Sequence, residues 1–153
     1  ILAAHIMGAP TKDCERFAVV LGHALQLTNI LRDLSVDRSQ HRNYVPLEWF
    51  EAYRMDPNTT DKTELVVIAN MLQEKALRYF EEARLVLPVE YARNLIPALL
   101  MRDSYSRLLR TIIETGSYAT LTKRKLSAWD KAQIAIRAAY YFITLPRSVE
   151  SKQ

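Results

Sequence analysis

Asp33 and Asp37 stand four residues apart on a predicted helix, with Asn29 one turn before Asp33 and Gln26 a further turn back. At ~100° per residue these four side chains fall within a sector of roughly 80°. Around them Leu25, Leu27, Ile30, Leu31, Leu34 and Val36 point in several directions, and a helix apolar on most sides is buried. A carboxylate stripe on a buried helix is costly unless a cation or a hydrogen-bond donor meets it. Oxygen ligands at this spacing suit a hard divalent ion. Mg²⁺ takes one or two carboxylates and completes its shell with water and substrate phosphates. Arg32, Arg38 and Arg42 flank the stripe and weigh against a merely solvated face. The plain alternative is a solvated helix face, where an Asp pair four apart only repels a little.

The elements that position these groups read as helices. Thr11 or Asp13 caps a helix that begins near Cys14, carries the aspartates and ends near Arg38. Residues 39–46 form a loop, and Pro46 opens a short helix through LEWFEAY. Asp56-Pro57-Asn58 marks a turn, extended through Asp61. A long helix over Thr63–Leu87 follows from Leu65, Ile68, Leu72, Ala76, Tyr79, Phe80 and Ala83 at three- and four-residue steps, with a solvated face that pairs Glu74 with Arg78. Pro88 ends it. Another helix covers Ala92–Thr115, with Pro97 kinking or delaying its start and Gly116 as its stop. Ser127 caps a last helix through Ile143.

Three glycines and little alternating patterning make the chain all-α, and its 153 residues suffice for one unit with a real core. The net charge of +4 suits anionic substrates, an acidic membrane surface or nucleic acid about equally well. No basic stripe interleaved with aromatics supports a nucleic-acid partner. A single cysteine, Cys14, allows no internal disulfide, and no Cys/His cluster suggests zinc. No apolar run is long enough for a transmembrane helix, so a cytoplasmic or peripheral membrane-associated location is expected. The apolar opening ILAAHIM reads as the end of a core helix, because a basic leader is missing.

The stretch from Leu21 to Pro46, LGHALQLTNILRDLSVDRSQHRNYVP, resembles the second aspartate-rich region of the squalene/phytoene synthase family. Its pieces are Ala24–Asp33, then Asp37, then Arg42-Asn43-Tyr44-Val45-Pro46. A weaker likeness continues through MRDSYSRLLRTIIETGSY and KRKLS, where a helical tyrosine and a later arginine approach the substrate in the family; here these are Tyr105 and Arg124, with Lys123 as the alternative to Arg124. The resemblance implies part of the isoprenoid synthase helical bundle and head-to-head joining of two prenyl diphosphates, to presqualene diphosphate and squalene or to phytoene. It implies Asp33, Asp37 and Asn29 at Mg²⁺, and Gln26, Asn29, Arg32, Arg42 and Arg124 at the diphosphate. It also gives Tyr105 a catalytic place with the two aspartates. The resemblance leaves NADPH use open, and no nucleotide-binding glycine motif indicates it here.

Two departures stand out. Leu34-Ser35-Val36 replaces the family's Val-Gly-Glu, which removes an acidic neighbour but keeps both aspartates. Upstream of Gln26 no second acidic pair occurs; Asp13 stands alone. The chain therefore reads as the C-terminal portion of a longer synthase domain, with the missing N-terminal helices supplied by the same protein or by a second chain. Two rivals are kept. One is a non-catalytic relative used in assembly or interaction, which would have no physical need to bury the carboxylate stripe. The other is a class I terpene cyclase, which the ALQLTNILRD context disfavours.

The remaining residues carry weaker signals. His23 reads as a core histidine, His41 as solvent-facing, and Tyr105 as structural or substrate-facing about equally. Lys123-Arg124-Lys125 reads as a solvated run with a second diphosphate contact as its functional meaning. Tyr140-Tyr141-Phe142, with Ile134, Ala135 and Ile136, form an apolar stripe for helix packing or for a membrane surface.

Overall fold

A computed structural model describes residues 11–116 and 128–145. Among them the chain forms five α-helices and one short 3₁₀ turn, with no strand. Helix α1 spans Lys12–Ser39. The Thr11 hydroxyl caps it by accepting from the Cys14 amide at 3.2 Å, and Asp13, Glu15 and Arg38 sit at the ends where the helix dipole favours their charges. One side buries Cys14, Phe17, Leu21, Ala24, Leu31 and Leu34, steps of three, four and seven that keep to one face. Thr28 is buried among them and donates its hydroxyl to the Ala24 carbonyl at 2.8 Å, so it brings no unpaired polar group into the core.

After a loop, α2 (Leu47–Tyr53) begins behind Pro46 and inserts Phe50 fully into the core. It stops at Arg54, whose left-handed backbone ends the helix. Asp61 then caps α3 (Lys62–Leu85) by accepting from the Thr63 and Glu64 amides at 2.8 and 3.1 Å. Ile68, Leu72, Ala76, Phe80 and Ala83 form the buried face of α3. The outer Glu74–Arg78 pair forms as the four-residue spacing predicts. The helix ends two residues earlier than Leu87, because Pro88 disfavours helical geometry in the residue before it.

A 3₁₀ turn covers Val89–Tyr91, and α4 runs from Ile96 to Thr115. It starts four residues later than Ala92. Within a helix begun at Ala92, Pro97 would have no N–H to give and would clash with the preceding turn; in the first turn of α4 it does neither. Gly116 closes α4 at φ 59°, a conformation open to glycine without strain. The last helix, α5, spans Ala128–Thr144. Its expected cap Ser127 lies outside the described residues, as do the opening ILAAHIM and the Lys123-Arg124-Lys125 cluster.

Helices α1 and α3 run antiparallel along each other: Arg16 near the start of α1 meets Glu82 near the end of α3 at 3.8 Å. Helix α4 packs across both, and α5 packs on α4. One core joins them, with Phe17, Leu31, Phe50, Leu72, Leu99, Leu109 and Ile112 fully buried. Each such side chain contributes roughly 1.5–3 kcal/mol relative to exposure. His23 is exposed, with its ring 5.0 Å from that of Tyr79, rather than in the core; it lies one turn before the equally exposed Gln26. On α5 only Tyr141 of the expected stripe is buried, while Ile136, Tyr140, Phe142 and Ile143 face outward. No helix among the described residues is long and apolar enough to cross a membrane.

Candidate active site

The burial of Thr28, Leu31 and Leu34 fixes the rotation of α1 and sets Asn29, Asp33 and Asp37 together on its half-buried flank. Gln26, at the start of the stripe, is exposed. The Asp33 carboxylate is only 16% exposed. It is gripped by its sequence neighbour: Arg32 donates through Nε to Oδ1 at 3.1 Å and through Nη2 to Oδ2 at 2.7 Å. This fork-on-fork pair is strong for its size because both groups are charged and partly dry. The hydrogen bond to Asp33 is the main reason that the Arg32 guanidinium holds its proton more tightly than usual; burial opposes it, and Tyr105 adds a smaller favourable contribution. Tyr105 comes from α4, where it packs half-buried against the core. The fold therefore brings Asp33 and Arg32 of one helix to Tyr105 of another.

Asp37 sits one turn further on, half-buried, in a tight crevice with Ile30, Leu34, Arg42, Asn43 and Tyr44. The chain doubles back at this point. His41 adopts φ 55°, and the Arg42 amide donates to the Asp37 carbonyl at 2.8 Å. Arg42 and Tyr44 are thereby carried beside Asp37 with their side chains exposed. Arg124, the remaining expected contact, lies outside the described residues.

The donor set fits Mg²⁺. The buried Asn29 Oδ1 has no hydrogen-bond partner among the described residues, a costly state for an amide oxygen unless something else meets it. Two carboxylates and one amide oxygen along one flank are hard ligands of the kind Mg²⁺ takes. Among the described residues no group of three or more His, Cys, Asp or Glu converges on one point. This wall thus offers at most two carboxylates, a number that leaves room for water and phosphate oxygens.

Three larger hollows lie on other faces. One of about 440 Å³ is lined by Trp49, Tyr53, Lys75 and Tyr79. The others, about 610 and 460 Å³, share Asp103, Arg107 and Arg137 between α4 and α5. Asp103 anchors a network there: its Oδ2 accepts from the Tyr141 hydroxyl at 2.6 Å and from Arg137 Nε at 2.9 Å, while Arg102 donates to Oδ1. Neither this network nor the place of Tyr44 was singled out by pattern. Asp103 and Tyr141 lie 38 residues apart in sequence, and Tyr44 was visible only as part of the Arg-x-Tyr-x-Pro run.

Comparison with known proteins identifies the family of the chain. The squalene/phytoene synthase family profile matches residues 1–130. The chain is 31% identical over 142 residues to a presqualene diphosphate synthase of Rhodopseudomonas palustris, covering 90% of this chain and 51% of that protein. It is 47% identical over 135 residues to a phytoene synthase of Thermus thermophilus, covering 83% and 45%. It is 28% identical over 148 residues to a 15-cis-phytoene synthase of Enterobacter agglomerans, covering 94% and 50%. The chain spans about half the length of these relatives. No solved structure gives a significant match. A profile match over most of its length makes this chain a member of the squalene/phytoene synthase family.

Proposed function

We propose that this chain supplies one wall of a Mg²⁺-dependent site that joins two prenyl diphosphates head to head, giving a presqualene diphosphate or phytoene type of product. The observation that carries this reading is the half-buried Asp33 and Asp37 flank, faced by Arg32, Arg42 and Tyr105. Asp33, Asp37 and the Asn29 oxygen would hold the ion, which when bound offsets the charge of the leaving diphosphate. The chain's own groups do the rest. Arg32 and Arg42 bind phosphate oxygens in their planar forks. Tyr105 donates a hydrogen bond to the departing diphosphate from the opposite helix. The apolar side chains of α1 and α4 keep water from the cationic carbon skeleton.

Two carboxylates on one helix cannot by themselves neutralise two diphosphates, so a second acidic wall from further helices of the same protein or of another chain completes the site. Farnesyl and geranylgeranyl diphosphate added to this chain with Mg²⁺ test the reading. Diphosphate binding that needs Mg²⁺, with turnover only when the second wall is present, is expected. Robust turnover by the chain alone would refute the half-site, and absence of Mg²⁺-dependent binding to the complete protein would refute the metal reading.

A second reading rests on one contact. Arg32 already neutralises Asp33, as it would in a relative that has left metal chemistry and kept the fold for assembly. That reading requires the Asp33→Asn and Asp37→Asn variants of the complete protein to keep every property except a little stability.

A further inference from the structure

We infer that Arg38 is a positioning residue: its buried guanidinium pins the loop bearing Arg42 and Tyr44 over the end of α1, and so sets the diphosphate-facing edge of the site. The inference rests on the functional reading above and adds a residue whose side chain is bonded to the chain's own loop and turn.

Arg38 is 5% exposed, a rare state for an arginine. It makes no ion pair among the described residues. Its partners are neutral and come from three separate segments. Nη1 donates to the Pro57 carbonyl in the turn before α3. Nη2 donates to Asn43 Oδ1 at 3.1 Å. The guanidinium carbon lies 4.9 Å from the centre of the Phe50 ring on α2, itself fully buried. Asp56 acts on Arg38 only at longer range, and desolvation dominates, which draws the guanidinium pKa down. Burying a cation with no carboxylate beside it is expensive, and the expense is met only if every donor and the ring face are held in place. The guanidinium therefore works as a strut between α1, α2, the 43–45 segment and the turn at Pro57.

The strut determines where the loop side chains point. Asn43 Oδ1 accepts from Arg38 and also from the Val45 amide at 2.9 Å, which locks two alternate positions of the loop. Val45 is buried at 4% exposure, so the residue between the locked pair, Tyr44, must project outward, and it is 57% exposed. Arg42 is held at the other side by the hydrogen bond that its backbone amide donates to the Asp37 carbonyl. Freed of the Arg38 guanidinium, the segment from His41 to Val45 keeps two backbone hydrogen bonds to the end of α1, from the His41 amide to the Arg38 carbonyl at 3.0 Å and from the Arg42 amide to the Asp37 carbonyl at 2.8 Å, together with the local Asn43 contact and the buried Val45 side chain. What it loses is the side-chain tie to α2 and the Pro57 turn that holds Arg42 and Tyr44 in one place beside Asp37. Lysine cannot substitute. Its single nitrogen cannot reach two acceptors on separate segments while lying flat over Phe50.

The test uses the full chain with Arg38→Lys and, separately, Asn43→Ala. Amide hydrogen exchange is followed across residues 40–46, and inorganic diphosphate is titrated in the presence of Mg²⁺. The expected result is faster exchange, about tenfold or more, of the Val45 amide in Arg38→Lys and of the Arg42 amide, whose acceptor neither substitution removes, in both variants. Diphosphate affinity should fall about fivefold or more, with Mg²⁺ affinity in the absence of diphosphate within about twofold of wild type. Should Arg38→Lys fail to fold, Asn43→Ala decides the matter through the Arg42 amide and diphosphate affinity, because it cuts the link between Arg38 and the loop while the arginine keeps its Pro57 and Phe50 contacts. Unchanged loop exchange in a folded variant overturns the inference, as does a loosened loop that binds diphosphate like wild type. Wild-type protein that binds no diphosphate overturns instead the functional reading on which the inference rests.

Discussion

Removing Arg32 should make the acidic flank a better metal site, even though an arginine near a phosphate-binding site is expected to help. The pair is fork-on-fork, with contacts of 3.1 and 2.7 Å, and its side chains are 26% and 16% exposed. Hydrogen bonds between charged groups contribute about 1.5–3 kcal/mol net when sheltered, and the remaining exposure places this pair near the lower end. An incoming ion has to displace at least one of the two contacts from Asp33. Roughly 1 kcal/mol of that competition disappears in Arg32→Gln, which corresponds to about a fivefold gain in affinity. Loss of a nearby positive charge adds to the gain and does not oppose it. Mn²⁺, a paramagnetic stand-in for Mg²⁺, can be titrated and followed by electron paramagnetic resonance. Arg32→Gln should bind it about three- to tenfold more tightly than wild type, Asp33→Asn should bind it poorly, and the double variant should follow Asp33→Asn. Diphosphate affinity should move the other way, falling in Arg32→Gln. An Arg32→Gln protein that binds Mn²⁺ no better than wild type would refute the competition, and with it the assignment of Asp33 as a ligand.

Other outcomes follow from the same geometry. Leu72→Ala, at a fully buried position on α3, should cost about 2–5 kcal/mol, read as a lower denaturant midpoint with an unchanged slope. Tyr141 has its pKa raised, first by burial and then by the hydrogen bond to Asp103. The folded state therefore holds the phenolic proton more tightly than the unfolded chain. That stabilisation is complete below the ordinary tyrosine range near about pH 10 and is lost as pH rises through the higher folded value. Thermal melts of wild type and Tyr141→Phe across that range should converge; a difference that stays constant would refute the linkage.

The long elements were legible because burial leaves a period in the sequence. The caps Thr11 and Gly116 and the buried face of α3 all followed from residue type and spacing. Both helix ends that differ from the expected bounds involve proline. Pro88 acts backward on its neighbours, and Pro97 delays the start of α4 to Ile96, one of the two effects expected of it. At the site, the stripe of Asn29, Asp33 and Asp37 was visible, but its state was not. Adjacent residues on a helix point in different directions, so nothing in the spacing suggests that Arg32 folds back onto Asp33. The partners of Arg38 could not be read either, since they depend on where the turn at Pro57 comes to rest. The apolar neighbours of His23 suggest an inward place, whereas its rotation about α1 follows Gln26 to the outside.

The sole cysteine offers a practical consequence. Cys14 is entirely enclosed beneath the first turn of α1, and its thiol is free. An enclosed thiol reacts with alkylating reagents only when the surrounding structure opens. Because it lies in the same cluster as Phe17 and Leu72, admitting a reagent requires the core around the first turn of α1 to open. The rate at which this one sulfur is modified is thus a built-in clock for native-state breathing, readable by mass spectrometry on the unaltered polypeptide.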